Sequence, residues 1–201
     1  MQEYPWYDVV EESEDLEQGD FIDNCDVLIP EYIPAQAEDG SLTDLQEYEP
    51  TGLVATYNVV IVSQSCDLEN GKLDYVLMCP MISYSEHVNQ YPDANLKAIR
   101  NNLEEIRLGR RHRYCMLGEC KRDDFLREIQ IVDLGTVFSV PYNVMKHMAR
   151  SRGKRLRLLS PYKEKLAQAF AYYYMRVALP IDIPIFDKGT MLVPTTIKTR
   201  E

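Results

Sequence analysis

The chain has 201 residues, with 45% hydrophobic side chains and fourteen tyrosines, enough apolar surface for one well-cored domain and too much for a wholly disordered chain. Its net charge of −10 is unevenly spread: the first fifty residues hold sixteen acids and no Lys or Arg, whereas the other 151 hold sixteen acids against twenty-two bases. A basic body behind an acidic front bears on partners rather than on chemistry, and no motif fixes a reaction.

Residues 1–17 combine seven acids with Tyr4, Trp6 and Tyr7 and read as an acidic arm. A single α+β domain is expected over 18–180, followed by a Pro-containing tail over 181–201. From Gly19 the interleaving of Phe21, Ile22, Val27, Leu28 and Ile29 with Asp23, Asn24 and Asp26 suits a first strand with a bulge, ended by Pro30. The turn-rich acidic stretch from Pro34 to Gly52 reads as a long loop. Residues 56–63, TYNVVIVS, are β-branched and suit a central strand buried on both faces; Asn70-Gly71 signals a tight turn into a returning strand over 73–82. Leu96, Ile99, Leu103 and Ile106 recur at helical spacing, with Asp93 or Asn95 to cap the start and Gly109 to close the helix. Strands are expected over Arg113–Leu117 and Ile129–Val140, the second bulged at Asp133 and Gly135. A helix over Asn143–Arg150 and a strand over 155–159 follow. Ser160-Pro161 opens a last helix, carried by Leu166, Phe170, Tyr173 and Val177 and stopped by Pro180.

The run without formal charge from Pro50 to Cys66 is too short and too polar to cross a bilayer, and Met1–Asp15 lacks the basic start and apolar run of a signal peptide. Five cysteines without a regular framework suit reduced thiols. The expectation is a cytoplasmic protein with no membrane partner.

Three features bear on chemistry. Ser63-Gln64-Ser65-Cys66-Asp67 lies where the central strand meets its turn. Cys66 there suits a nucleophile, Asp67 an orienting acid, and Ser63 or Ser65 an activated hydroxyl; no neighbouring His supplies a base, and an Asx-capped turn with an inert thiol accounts for the same residues. His112, Cys115 and Cys120 are spaced unlike the paired knuckles of a zinc site, so neither metal nor cofactor is expected. The third feature is basic: residues 97–165 hold seventeen Lys and Arg against eight acids. They concentrate at Arg110, Arg111 and Arg113 and at Arg150, Arg152, Lys154, Arg155 and Arg157. In RLRLL, Arg155 and Arg157 share one strand face, which suits a grip on phosphates; pairing with the acidic front of the same molecule is the competing account. Tyr172 or Tyr174 could stack on a base.

Gln18-Gly19-Asp20-Phe21, then Val59-Val60-Ile61-Val62-Ser63-Gln64 and Val76-Leu77-Met78-Cys79-Pro80-Met81-Ile82-Ser83 together resemble the opening of the MazF/PemK toxin barrel, over about residues 18–83. The resemblance implies a small SH3-like barrel. It also implies a ribonuclease that uses an arginine of the first loop and a hydroxyl just after the Val-rich strand. Ser63 or Ser65 matches the hydroxyl, but the loop from Pro30 to Thr56 has no basic residue, so the cation has no counterpart.

The expected fold is α+β, a bent antiparallel SH3-like β-barrel with an inserted helix and a C-terminal helix. The expected function is a non-enzymatic binding module whose basic face takes nucleic acid or an acidic protein partner, with the acidic region as competitor or interface. Two alternatives stand beside it: a toxin-like ribonuclease or other hydrolase with its site at Ser63, Ser65, Cys66 and Asp67, and a subunit of a larger assembly. Homo-oligomerisation is compatible with each.

Overall fold

The computed structural model describes residues 4–34, 48–92, 95–122 and 124–175. Most of the expected acidic loop, the last turn of the final helix with Val177 and Pro180, and the tail over 181–201 lie outside the described residues. The architecture is mixed α+β with antiparallel strand pairing.

The main sheet is built from β2 (Phe21–Pro34), β3 (Tyr48–Ile61), β4 (Tyr75–Ser83), β5 (Tyr114–Leu117), β8 (Gln130–Asp133) and β9 (Phe138–Pro141). Its order is β2-β3-β4-β8-β5, with β9 also on β4. The expected barrel is corrected here: among the described residues this path does not close, since β2 and β5 stand at opposite ends of it. β2 and β3 pair along their whole lengths, so the expected loop from Pro34 is shorter than the turn residues suggested. The bulge falls between Ile22 and Cys25, where Asn24 takes a positive φ of 50° and its N–H donates to Asn58 Oδ1.

Alternation along the central strands buries both faces, as the β-branched run requires. Val60, Val62, Cys79 and Met81 point into one core, with Leu117, Leu134, Leu156, Leu158 and Leu166; Val59, Ile61, Val76 and Met78 point into the other, with Leu16, Leu68 and Met145. The first core is covered by β10 (Arg155–Leu158) and α5 (Tyr162–Tyr174), the second by α1 (Ser65–Glu69) and α4 (Tyr142–Ser151). α1 fills the stretch before the turn expected at Asn70-Gly71, which is present, with Gly71 at a φ of +61°. The long expected strand over 129–140 is two strands, because β4 changes partner. Its first half, Tyr75–Met78, pairs with β9, and its second half, Met81–Ser83, pairs with β8. Pro80, which has no N–H to donate, occupies the fork.

α2 (Tyr84–Asn89) opens with a reciprocal capping box between Ser83 and Glu86, and α3 (Leu96–Arg107) is capped by Asn95 onto the Lys97 amide. A short hairpin, β6 (Cys120–Arg122) with β7 (Phe125–Arg127), follows β5. Ser160 does not cap α5 through an amide; its hydroxyl donates to Glu164 Oε1 at 2.7 Å.

Residues 4–17 are part of this fold rather than an arm beside it. β1 (Tyr7–Val10) pairs antiparallel with β10, Tyr7 through Val10 against Leu158 through Arg155. Trp6 stacks on Tyr162 with ring centroids 3.5 Å apart, and the Tyr7 hydroxyl donates to the Gly118 carbonyl at 2.6 Å. Gly19 clamps this layer to the sheet: its carbonyl accepts from Leu158 N and its N–H donates to Ile61 O, both at 2.9 Å. A Cβ there would lie 2.9 Å from Leu158 Cβ, and φ is +87°, so the position demands glycine.

Candidate functional site

Charge segregation in the sequence becomes charge pairing in the structure. Arg155 and Arg157 do share a face of β10, but that face is turned inward onto Asp20, which is 0% exposed. Asp20 Oδ2 accepts from Arg155 Nε at 2.8 Å and Arg157 Nη2 at 3.0 Å, and Oδ1 accepts from Arg157 Nε at 2.5 Å. Arg155 spends its other N–H groups on the carbonyls of Glu11, Glu14 and Asp15; Arg157 reaches Glu17 Oε1 at 2.6 Å and the Asp15 carbonyl at 2.7 Å. A guanidinium removed from water needs this set of acceptors, and the acidic front supplies it. The neighbours follow suit. Lys154 pairs with Glu11 at 2.8 Å, and Arg152 donates to the Asn24 carbonyl at 2.8 Å with Asp26 at 3.8 Å. Arg150 is exposed in the last turn of α4, where a cation complements the helix C-terminus. The phosphate-gripping face expected over 150–157 is therefore corrected: its two strand arginines are interior ties.

Ser63, Gln64 and Asp67 line a broad groove of about 700 Å³ shared with Gln18, Lys72, Asp74 and α5, and Ser65 and Cys66 are not in its lining. The hydroxyls of the Ser63–Asp67 segment are engaged as acceptors for the backbone: Ser63 Oγ from Leu77 N at 2.8 Å, Ser65 Oγ from Gln18 N at 3.1 Å. The Gln18 amide donates to the Val62 carbonyl at 2.9 Å, locking the turn from the other side. Cys66 is exposed at the start of α1, and Asp67 faces Lys72 at 4.0 Å. No histidine is among the residues lining this groove. The arrangement ties three chain segments together and brings no base to a nucleophile.

His112, Cys115 and Cys120 form no metal-holding group with one another or with other described residues. Burial pushes the Cys115 thiol up to about 11, and Cys25 and Cys79 likewise to about 11 and about 12, so these thiols stay protonated and unreactive.

What remains on the surface is the other basic cluster. α3 ends at Gly109, φ +70°, and the chain turns through Arg110–Arg113 into β5, opposite the face of α5 that carries Lys165, Gln168 and Tyr172 at helical spacing. Between them lies a groove of about 360 Å³ floored by Ile106, Cys115 and Met116. Arg107 and Lys165 stand on its two sides, and the His112 ring meets Tyr172 edge-on at 4.8 Å. Arg107, Arg110 and Arg113 are held by Glu104, Glu105 and Asp133 at 2.6, 3.0 and 2.8 Å; Arg111 and Lys165 have no ion pair among the described residues. Tyr172 is 59% exposed, a flat ring that shares the groove with Lys165. Of this set, Arg107, Lys165 and Gln168 escaped the sequence reading. Their signal was present, since Lys165, Gln168 and Tyr172 lie three and four residues apart.

No family model, curated protein or solved structure matches the chain.

Proposed function

We propose that the protein is a non-enzymatic nucleic-acid-binding module whose contact surface is the groove between Arg107–Tyr114 and α5. The observation that carries this reading is the placement of Arg107 and Lys165 in a groove with an exposed Tyr172, with Arg111 next in the chain to the lining residue His112, a combination that suits a phosphodiester backbone with a base lying on the ring. A strand of single-stranded nucleic acid fits better than a duplex, because a stacking ring needs an unpaired base. The MazF/PemK resemblance enters as a toxin-like scaffold without cleavage, supported by the engagement of Ser63 and Ser65 with backbone amides.

The test is fluorescence anisotropy with a fluorescein-labelled single-stranded 12-mer. Neutralising about three phosphates gives a slope of log affinity against log salt near −2 for a single strand, about a twentyfold loss between 50 and 200 mM. Arg111→Glu with Lys165→Glu should abolish binding at 50 mM salt. Arg150→Glu should leave it unchanged. Binding of an acidic protein but of no oligonucleotide would move the reading to a protein partner.

A further inference from the structure

The fork in β4 opens a second cavity beside the basic groove, of about 260 Å³, and the two share Tyr114 as a lining residue. It is smaller than the roughly 300–1,000 Å³ typical of pockets for drug-sized ligands, so its occupant is a single compact group. Aromatic rings supply the walls. Tyr57 and Phe138 lie 4.9 Å apart and tilted by 37°, and Tyr114 stands edge-on to His87 at 6.1 Å.

The polar groups in this lining divide into engaged and available. Asp133 is fully occupied: Oδ1 accepts from Arg113 Nε and Gly135 N, Oδ2 from Arg113 Nη2 and the Thr136 hydroxyl. Its charge is neutralised by Arg113, so it offers nothing to a cation. Available are the Thr136 oxygen as acceptor, the exposed Gln90 amide, and the hydroxyls of Tyr57 and Tyr114, which have no hydrogen bond among the described residues. His87 is 2% exposed, and its Nε2 meets only the Asn102 amide nitrogen at 3.5 Å. With that amide donating, the ring proton sits on Nδ1 as a further donor. Aromatic walls around mixed donors and acceptors, with no net charge, match a neutral planar heterocycle. A phosphate-binding groove on the other side of Tyr114 supplies the backbone to which such a heterocycle belongs.

We infer that the cavity at the β4 fork receives one unstacked nucleobase of a strand whose phosphates lie in the basic groove. This rests on the nucleic-acid reading above and adds to it a site for the base, formed by Tyr57, His87, Gln90, Tyr114, Thr136 and Phe138. Binding is then sensitive to removal of a single base from the strand, whereas contacts to phosphates alone are not.

The experiment uses the full chain and a fluorescein-labelled 12-mer single strand, intact or carrying an abasic site at each position in turn. Wild type should lose about 5- to 150-fold in affinity at each of two abasic positions, one for the base on Tyr172 and one for the base in the cavity, the worth of one base stacked on aromatic rings. Tyr57→Leu should lower affinity for the intact strand by a similar factor, abolish the loss at one of the two abasic positions, and leave the salt slope near −2. Gln90→Ala, at an exposed position whose change leaves the core intact, should shift the preference among A, C, G and U or T at that position. Loss at a single abasic position that Tyr172→Ala removes and Tyr57→Leu leaves overturns the inference while the groove reading stands, and equal affinity for intact and abasic strands overturns the stacking in both. Two sensitive positions that both survive Tyr57→Leu place the second base outside the cavity and also overturn it. No binding of any strand at 50 mM salt overturns both readings together.

Discussion

Removing the Asp20 carboxylate should be the most damaging single change in the interior, and its size follows from the geometry. Asp20 is the only carboxylate within ion-pair distance of Arg155 among the described residues, and the Arg155 side chain is 3% exposed. Asp20→Ala therefore leaves a buried guanidinium without a counter-charge, a loss of about 3–5 kcal/mol, and frees the Glu17 amide that Asp20 Oδ2 accepts at 3.1 Å. Arg157 suffers less because Glu17 and Glu14 remain within 2.6 and 3.7 Å. For a chain of this length 1 kcal/mol moves the midpoint by about 2–4 °C, so the expected fall is roughly 6–20 °C, read by thermal unfolding of Trp6 fluorescence. Arg155→Met should cost less, since Arg157 alone still donates to both Asp20 oxygens. Lys154→Ala, which breaks an exposed pair, should leave the midpoint where it is. A shift below about 1 kcal/mol for Asp20→Ala, or a larger one for Arg155→Met, would refute the claim that this carboxylate holds the two arginines inside.

Gly118→Ala would set a methyl group 2.5 Å from Trp6 Cε2; the displaced indole should red-shift the emission of the sole tryptophan, and overpacking should cost about 1–3 kcal/mol. Among the five cysteines only Cys66 is exposed, so a disulfide-exchange reagent at pH 8 should titrate one fast thiol in the native protein, absent in Cys66→Ser; two thiols reacting at the same rate would contradict the packing. Burial pushes the Asp133 carboxyl up, but the bonds from Arg113, Gly135 and Thr136 outweigh it and hold the group below its ordinary value of 3.8. Its contribution is therefore complete above that value and lost as pH falls through the lower folded one. The stability gap between wild type and Asp133→Asn should be full at pH 6 and shrink as the pH falls below 3.8, and a gap constant with pH would count against it.

Local pattern carried the elements and missed what lies across the chain. The RLRL alternation marks β10, and an arginine face on a strand suggests solvent; nothing near position 155 in sequence announces that Asp20 and the carbonyls of Glu11, Glu14 and Asp15 cover it. The acidic front was visible as composition, and its partner was visible as a basic cluster, but their joining depends on β1 lying against β10. Asp133 and Gly135 mark an interruption in either reading. Whether it is a bulge or a break is decided by β4 exchanging partners, a sheet-level event. The β6–β7 hairpin has strands of three residues, shorter than a period-2 signal needs. For the groove, Arg110–Arg113 were readable as a cluster, while Lys165 and Gln168 became neighbours of that cluster only through the docking of α5.

The pairing of Tyr7–Val10 with Arg155–Leu158 sets an order of events as the chain is made. Synthesis runs from the N-terminus, so the acidic residues around Asp20 emerge long before the arginines that neutralise them, and they remain hydrated and mutually repelling while the β2–β3–β4 meander forms. Closing a loop of this length is entropically costly, though the cost rises only by about 0.6 kcal/mol per doubling. Docking β1 onto the finished sheet is then a late step that waits for β10. A nascent chain arrested before residue 155 should keep Trp6 in water and residues 4–17 open to protease, and release past Tyr162 should fold both away together.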